Sequence, residues 1–196
     1  MLTGFIGLIS ACDTVTDSTS RLVPEPDILE RLSYQKGAID TLFNNQLDKL
    51  IVLAKIQGKD EPVLVKNRNF PDNVELTFNI LKDSLGQIIL ISIFPFSESE
   101  DWFISFKHYF DKKGKTFAFE RQTNFFNSIC TEGVAYETKT EFYNSDFQLI
   151  GEGYKLIDKQ GEKLNKDSCI FNYYYGYKVL PTIDKLLKTN KLKNGI

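Results

Sequence analysis

The sequence contains a single histidine, His108, so any chemistry that needs an imidazole depends on this one residue. A general base, a histidine-activated nucleophile or a zinc site would each require further polar partners around it. His108 lies between Phe106 and Phe110 in an alternating apolar segment, where a lone histidine is more often a hydrogen-bonded part of the core wall. Sequence motifs of hydrolases, nucleotide-binding proteins and zinc proteins are missing. We therefore assign no catalytic residue, metal ligand or cofactor from the sequence.

Carboxylates offer the remaining catalytic chemistry. One acidic segment contains Glu98, Glu100 and Asp101. It lacks the regular ligand spacing and central glycine of a calcium loop. Glu137, Glu141 and Glu152 recur in strand-like segments, where a pair of carboxylates facing a cleft would suit glycoside hydrolysis. Alternating charges more often mark the solvent face of a strand, so a carboxylate-dependent hydrolase is the alternative hypothesis.

Aromatic residues make up 13% of the chain and concentrate in strand-like segments. Aromatic rings fill cores, and they also form the contact surfaces of many interfaces. Beyond an ordinary aromatic core, the pattern suggests a curved sheet that holds an apolar ligand or contacts a partner protein. The candidate residues for this surface are Trp102, Phe106, His108, Tyr173 and Tyr175.

The first twelve residues are small and apolar up to a cysteine, and a polar stretch follows. The order Ile9-Ser10-Ala11-Cys12 resembles the lipobox of bacterial lipoproteins, with no Lys or Arg before Arg21. The resemblance implies that residues 1–11 are a signal peptide and that Cys12 carries a diacylglyceryl group. Acyl chains would then attach the protein to a bacterial membrane, facing the periplasm or the cell exterior.

Two further features follow from this N-terminus. No apolar run approaches the roughly 20 residues that span a bilayer, so the lipid is the expected anchor. Residues 12–26 are polar and contain Pro24 and Pro26, which predicts an extended tether.

The net charge of −2 argues against a nucleic-acid partner. The leading hypothesis is a non-enzymatic envelope lipoprotein that binds a partner protein or a hydrophobic ligand, and the alternative is a hydrolase of an envelope polymer.

With Cys12 assigned to lipid, Cys130 and Cys169 remain as a pair in a compartment that permits disulfides. Closing a loop of about 40 residues would stabilise the fold by roughly 4 kcal/mol in the chain-entropy model. Two free thiols are the alternative. If the cysteines flank alternate strands of one sheet, they lie about 10 Å apart, beyond the limit of about 7 Å for bridged Cα atoms.

The chain beyond the tether is expected to form one domain over residues 27–187, followed by a basic tail over residues 188–196. Asp27 is a candidate N-cap for a helix whose apolar stripe continues to about Gln57. Gly37 is a position where this helix could kink or divide. Near the end of the chain, Pro181 opens a short C-terminal helix.

From Asn73 onward the apolar period changes from 3.6 to 2, which predicts strands. About seven are expected, over residues 73–80, 88–94, 102–110, 117–121, 134–143, 147–157 and 169–177. Three Asp-x-x-Gly turns, at 83–86, 111–114 and 158–161, predict tight hairpins, and Asn144-Ser145-Asp146 is a looser fourth. The predicted fold is α+β, with the N-terminal helix packed on a twisted antiparallel meander. A closed lipocalin-like barrel is the alternative.

Overall fold

The computed structural model describes residues 27–126, 128–171 and 175–193. Its elements in chain order are α1 (Ile28–Asn45), β1 (Ile51–Ile56), β2 (Val63–Leu64), β3 (Val74–Lys82), β4 (Ile88–Pro95), β5 (Trp102–Phe110), β6 (Thr116–Phe125), β7 (Ala135–Tyr143), β8 (Leu149–Ile157) and α2 (Ile183–Thr189). The strands form one antiparallel sheet of eight, in the order β2-β1-β3-β4-β5-β6-β7-β8. The α+β meander is confirmed. Because the sheet is open, the closed barrel is wrong.

The N-terminal helix is shorter than its apolar stripe predicted. It begins after Asp27, whose side chain accepts a hydrogen bond from the Leu29 N–H, and it runs without a break through Gly37 to Asn45. Residues 51–56 form β1 instead of a further helical turn. A run rich in branched apolar residues suits a strand that is covered on both faces. Such a short run fits either period, and pairing with β3 decided the outcome.

Four turns of one type follow β3, β5, β7 and β8, where they close three hairpins and the return after β8. In each of the three Asp-x-x-Gly turns, the aspartate side chain accepts two backbone N–H bonds and the glycine takes a positive φ. Asn144 accepts the same two bonds in the fourth turn, although Phe147 occupies the position of the glycine at φ 60°. The Phe147 ring stacks on Tyr143 at 4.4 Å between centroids, a contact that offsets the backbone strain.

Helix α1 covers one end of one sheet face. Ile39 and Phe43 are buried against Leu90 and Tyr109 in a core cluster on this face. At the other end of the helix, Leu29 lies on β8, where only glycine leaves room for it. A Cβ atom on Gly151 would come within 2.6 Å of the Leu29 side chain. The helix therefore crosses the sheet obliquely, from β8 towards β4.

The opposite face of the sheet carries the main core and is covered by the C-terminal part of the chain. We call residues 162–171 and 175–180 the strap, because they return from β8 across this face. The Phe171 ring of the strap stacks on Phe125 of β6 at 4.0 Å, and the Leu180 carbonyl accepts a hydrogen bond from the Thr116 hydroxyl. Helix α2 then buries Leu186 and Leu187 in the same core. The seventh predicted strand, residues 169–177, is wrong, because the described part of this segment packs across the sheet and joins no edge.

Cys130 and Cys169 are joined in a disulfide with a Cα separation of 4.7 Å. Cys130 lies in the loop between β6 and β7, and Cys169 follows a single 3-10 turn, Lys166–Ser168. Neither cysteine is in a strand, so the spacing of alternate strands does not separate them. The bond fastens the strap to the sheet.

The ends of the chain complete this description. In the tail, Leu192 is buried, and Lys191 and Lys193 pair with Asp60 and Glu61 near β2. Cys12, the expected signal peptide and the tether lie outside the described residues. Within the described part of the chain, no helix is long and apolar enough to cross a membrane.

Candidate functional site

His108 lies at the centre of the main core, beneath the strap. Its Nε2 atom is 2.9 Å from the Tyr177 hydroxyl, and its ring contacts Phe110 and Phe119. Burial lowers the pKa of His108 to about 3, so the imidazole is neutral near pH 7. Nδ1 has no hydrogen-bond partner among the described residues. A wholly buried, uncharged imidazole beside one phenol serves as part of the core wall and lacks the partners of a general base.

A small apolar cleft lies beside this histidine, between the strap, α2 and the ends of β3 and β4. We call it the strap cleft. Its volume is about 430 Å³, and its walls include Leu76, Ile93, Phe106, Tyr175 and Tyr177. Lys178, Thr189 and Asn190 form its polar part. This volume lies within the range of roughly 300 to 1,000 Å³ that is usual for small-molecule sites.

Stacked rings form the walls of the strap cleft. The Tyr177 ring is parallel to Phe106 at 4.0 Å and to Phe119 at 5.6 Å. Tyr175 lies 5.7 Å from Phe106 and keeps 37% of its surface exposed. Burial raises the pKa of Tyr177, which keeps its hydroxyl protonated. A ring that stacks on two neighbouring rings in this way forms a rigid wall.

The predicted aromatic surface is therefore divided by the fold. Phe106 and Tyr175 meet in the strap cleft, whereas His108 is buried next to it and reaches it only through Tyr177. Trp102 is half-buried at the edge of the main core. Tyr173 lies outside the described residues. The wholly buried Phe106 and His108 are thus excluded from an exposed partner surface.

Comparison with known proteins adds no assignment. No protein-family model matches the chain, no curated protein is significantly similar in sequence, and no solved structure is significantly similar in fold. The functional argument therefore rests on the geometry of the site alone.

Three of the carboxylates considered for hydrolysis lie on one face of β7 and β8. Glu141 of β7 is directly opposite Glu152 of β8, and Glu137 lies on the same face two same-face pairs further along, beyond Lys139 and Tyr154. Glu137 is buried and accepts a hydrogen bond from the Tyr154 hydroxyl at 3.1 Å, while the Tyr143 hydroxyl donates to Glu141. Burial, with the help of Glu137, raises the pKa of Tyr154 to about 12.

The acidic segment of Glu98, Glu100 and Asp101 is separate from these carboxylates, in the loop between β4 and β5, with β5 and β6 between β4 and β7. No group of three metal-ligating side chains comes together in the described parts of the chain.

A buried ionic cluster under α1 was not predicted from the sequence. Lys36 of the helix pairs with Glu120 of β6 at 2.5 Å and with Asp40 at 2.8 Å, and Lys107 of β5 pairs with Glu120 at 2.9 Å. The Tyr109 hydroxyl donates to Asp40 at 2.6 Å. Burial tends to raise the pKa of Glu120, but the ammonium groups of Lys107 and Lys36 outweigh it and hold that pKa below its usual value.

The sequence did carry a signal for this cluster. Lys107 and Tyr109 alternate with the inward-facing Phe106 and His108, so the pleat places them together on the opposite face. Which helix would cover that face was not readable. The role of Tyr177 was equally impossible to predict from the sequence, because it depends on the stacking of its ring on residues of β5 and β6.

Proposed function

We propose that this protein is a non-enzymatic bacterial envelope lipoprotein whose domain binds a small hydrophobic ligand in the strap cleft. The observation that carries the proposal is the concave apolar site formed by Tyr175 and Tyr177 over the buried Phe106, beside a polar rim. Apolar walls with a few polar groups at the mouth are the usual composition of a small-molecule site. The Cys12 lipid would place this site at a membrane, where apolar ligands are concentrated.

The ring stack supports a binding role because it makes the site rigid. Tyr177 is clamped between its ring contacts with Phe106 and Phe119 and its hydroxyl contact with His108. A preformed wall loses little side-chain entropy when a ligand enters. The partly exposed Tyr175 ring offers both an apolar surface and a hydroxyl at the entrance.

Ligand binding is tested by titration with N-phenyl-1-naphthylamine, a neutral apolar dye that fluoresces when it leaves water. Thr189→Trp adds a large ring at the cleft, and we expect it to weaken dye binding at least about tenfold. Lys188→Trp adds the same ring one residue away and is the matched control. Equal affinities of the two variants would place the dye elsewhere and count against the strap cleft.

Anchoring is tested separately in cells. Cys12→Ser removes the acceptor of the lipid, so we expect the protein to leave the membrane fraction while its dye affinity stays unchanged. Native mass spectrometry of the wild-type protein from its own envelope measures the acyl mass and any retained ligand. An unlipidated chain that retains Met1 would contradict the localisation.

The carboxylates of β7 and β8 favour a second function, hydrolysis of an envelope polymer. Glu141 and Glu152 lie side by side on one face of the sheet, at paired positions of the adjacent strands β7 and β8, where one could act as the acid and the other as the nucleophile. The measurement is release of new reducing ends from purified cell-wall glycan. Loss of this release in both Glu141→Gln and Glu152→Gln, with Thr189→Trp still active, would favour the enzyme over the binding protein.

A further inference from the structure

A second and larger cleft lies at the opposite end of β3 from the turn that leads to β4. Its volume is about 870 Å³, and we call it the acidic aromatic cleft. Two phenylalanines and two glutamates dominate its lining: Phe70, Phe96, Glu75 and Glu98. Its described lining residues and those of the strap cleft have no member in common. The function proposed above therefore makes no use of it.

The aromatic walls are unusually exposed for side chains of this size. Phe70 and Phe96 keep 55% and 58% of their surface accessible. The Phe96 N–H donates to the Glu75 carbonyl at 2.9 Å, which extends the pairing of β3 and β4 past Pro95. This bond fixes Phe96 directly beside Glu75, so an aromatic ring and a carboxylate are neighbours on the cleft wall.

The charge of the cleft is one-sided. Glu75 and Glu98 contribute carboxylates, and no Lys or Arg is found among the described residues that line it. The cation nearest to Glu75 in the structure is Lys55, whose Nζ is 3.2 Å from the carboxylate in a half-exposed ion pair. Exposed pairs of this kind stabilise a fold very little, so an incoming cation can share or replace Lys55 at small cost.

We propose that the acidic aromatic cleft binds an organic cation with an apolar stem, such as an alkylammonium ion or the lysine side chain of a partner. The faces of Phe70 and Phe96 would attract the cation through their ring quadrupoles and cover its stem. Glu75 and Glu98 would accept its N–H bonds as charge-assisted hydrogen bonds. A neutral apolar ligand is disfavoured, because it would desolvate the two carboxylates without pairing them.

The test is a titration of the full chain, followed by amide NMR, with n-hexylammonium and with the neutral n-hexanol. We expect saturable shifts at Asn73, Glu75, Phe96 and Glu98 for the ammonium, and binding of the alcohol at least about tenfold weaker. Raising the salt concentration should weaken binding of the ammonium and leave binding of the alcohol unchanged. Equal affinities for the two probes would overturn the proposal.

Variants locate the site and separate it from the strap cleft. Phe96→Ala and Glu98→Gln should each lower the affinity for n-hexylammonium about threefold, whereas Lys55→Met should raise that affinity about twofold. Phe126→Ala and Glu132→Gln are matched controls, since both residues are exposed and neither lines the cleft. Wild-type affinity in Phe96→Ala and Glu98→Gln would overturn the assignment. Thr189→Trp should have no effect, so this proposal can fail or succeed independently of the first.

A final pair of probes identifies the source of the cation. A short peptide with one lysine between leucines is compared with the same peptide carrying norleucine. Tighter binding of the lysine peptide than of n-hexylammonium assigns the cleft to a partner protein, and the reverse order assigns it to a free amine. Binding of the norleucine peptide as tightly as the lysine peptide contradicts cation recognition.

Discussion

At the scale of single residues, His108 acts as a structural group that is sensitive to pH. It is buried under the strap, its pKa is lowered to about 3 by burial, and the Tyr177 hydroxyl is its contact with the covering segment. Protonation of this ring in the folded state would place an unpaired charge in an aromatic core. The strap therefore packs stably over His108 only while the imidazole is neutral.

The first prediction concerns this pH dependence. Unfolded chains bind a proton at His108 below a pKa of about 6.5, whereas the folded protein does so only near pH 3. The neutral His108 therefore contributes fully to the free energy of unfolding above pH 6.5, and this contribution is lost as the pH falls towards 3. Between pH 7.5 and pH 5, the wild type should lose about 2 kcal/mol more stability than His108→Phe. Urea unfolding at the two pH values measures this difference, and equal losses would contradict a buried neutral imidazole.

The second prediction concerns Tyr177. Tyr177→Phe keeps the ring stack and removes the hydroxyl that contacts His108, which leaves a buried imidazole without this hydrogen bond. We expect a loss of about 1 to 3 kcal/mol in unfolding free energy. Tyr34→Phe, at an exposed position on α1, is the control and should be nearly neutral. A comparable effect in both variants would show that the hydroxyl contact is unimportant.

At the scale of elements, α1 is held by apolar packing and by the ionic cluster beneath it. Ile39 and Phe43 supply the apolar contacts, and Lys36 reaches through to Glu120 on the sheet. Burial tends to lower the pKa of Lys36, but Glu120 and Asp40 outweigh it and raise that pKa. The charged groups thus stabilise one another only while the helix is docked.

The third prediction is that Glu120→Gln loosens this helix. Removing the carboxylate leaves Lys36 and Lys107 close together and largely buried, which should lower the free energy of unfolding by about 3 kcal/mol. Glu75→Gln breaks an exposed pair with Lys55 and should cost less than about 1 kcal/mol. Denaturant unfolding of both variants, with hydrogen exchange of α1 amides, measures the difference.

The cluster also has a defined pH range. The pKa of Glu120 is lowered on folding, so its stabilisation is complete above an unfolded pKa of about 4.3 and is lost as the pH falls through the folded value. The pKa of Lys36 is raised, so its share is complete below an unfolded pKa of about 10.4 and is lost at higher pH. Unfolding of Glu120→Gln that shows the wild-type loss below pH 4 would contradict this role.

At the scale of the whole molecule, the disulfide adds a covalent link between the strap and the sheet, which also meet through ring contacts and through the hydrogen bond from Thr116 to the Leu180 carbonyl. It fixes the strap next to the loop between β6 and β7, upstream of the residues that form the strap cleft. The sheet itself is built from local hairpins and needs no such bond. Loss of the bond should therefore affect the strap before it affects the strands.

The fourth prediction follows from that separation. The double variant Cys130→Ala with Cys169→Ala should lose about 4 kcal/mol of stability by the loop-entropy model, and the reduced wild type should match it. Hydrogen exchange should rise in the strap at denaturant concentrations where β3 to β7 stay protected. Affinity for N-phenyl-1-naphthylamine should fall in the same samples. Unchanged stability on reduction would contradict a bond that holds the strap.

Much of this architecture was determined by the sequence alone, because the deciding signals are local. Alternating apolar residues mark the strands β3 to β8, and the tight turns at 83–86, 111–114 and 144–147 set the hairpins β3–β4, β5–β6 and β7–β8, since a tight turn forces its two strands to pair. The N-cap at Asp27 and the start of α2 near Pro181 are equally local signals. The lipobox resemblance at Cys12 and the functions inferred from it stay predictions.

Tertiary structure alone decided the rest, because those outcomes depend on contacts between distant segments. Residues 51–56 form a strand because β3 offers a partner. Phe171 and Tyr175 lie outside the strands because their rings pack on Phe125 and Phe106. Both clefts, the seat of His108 and the pairing of Lys36 with Glu120 arise in the same way. Periodicity shows which side chains share a face, but only the folded chain shows what covers that face.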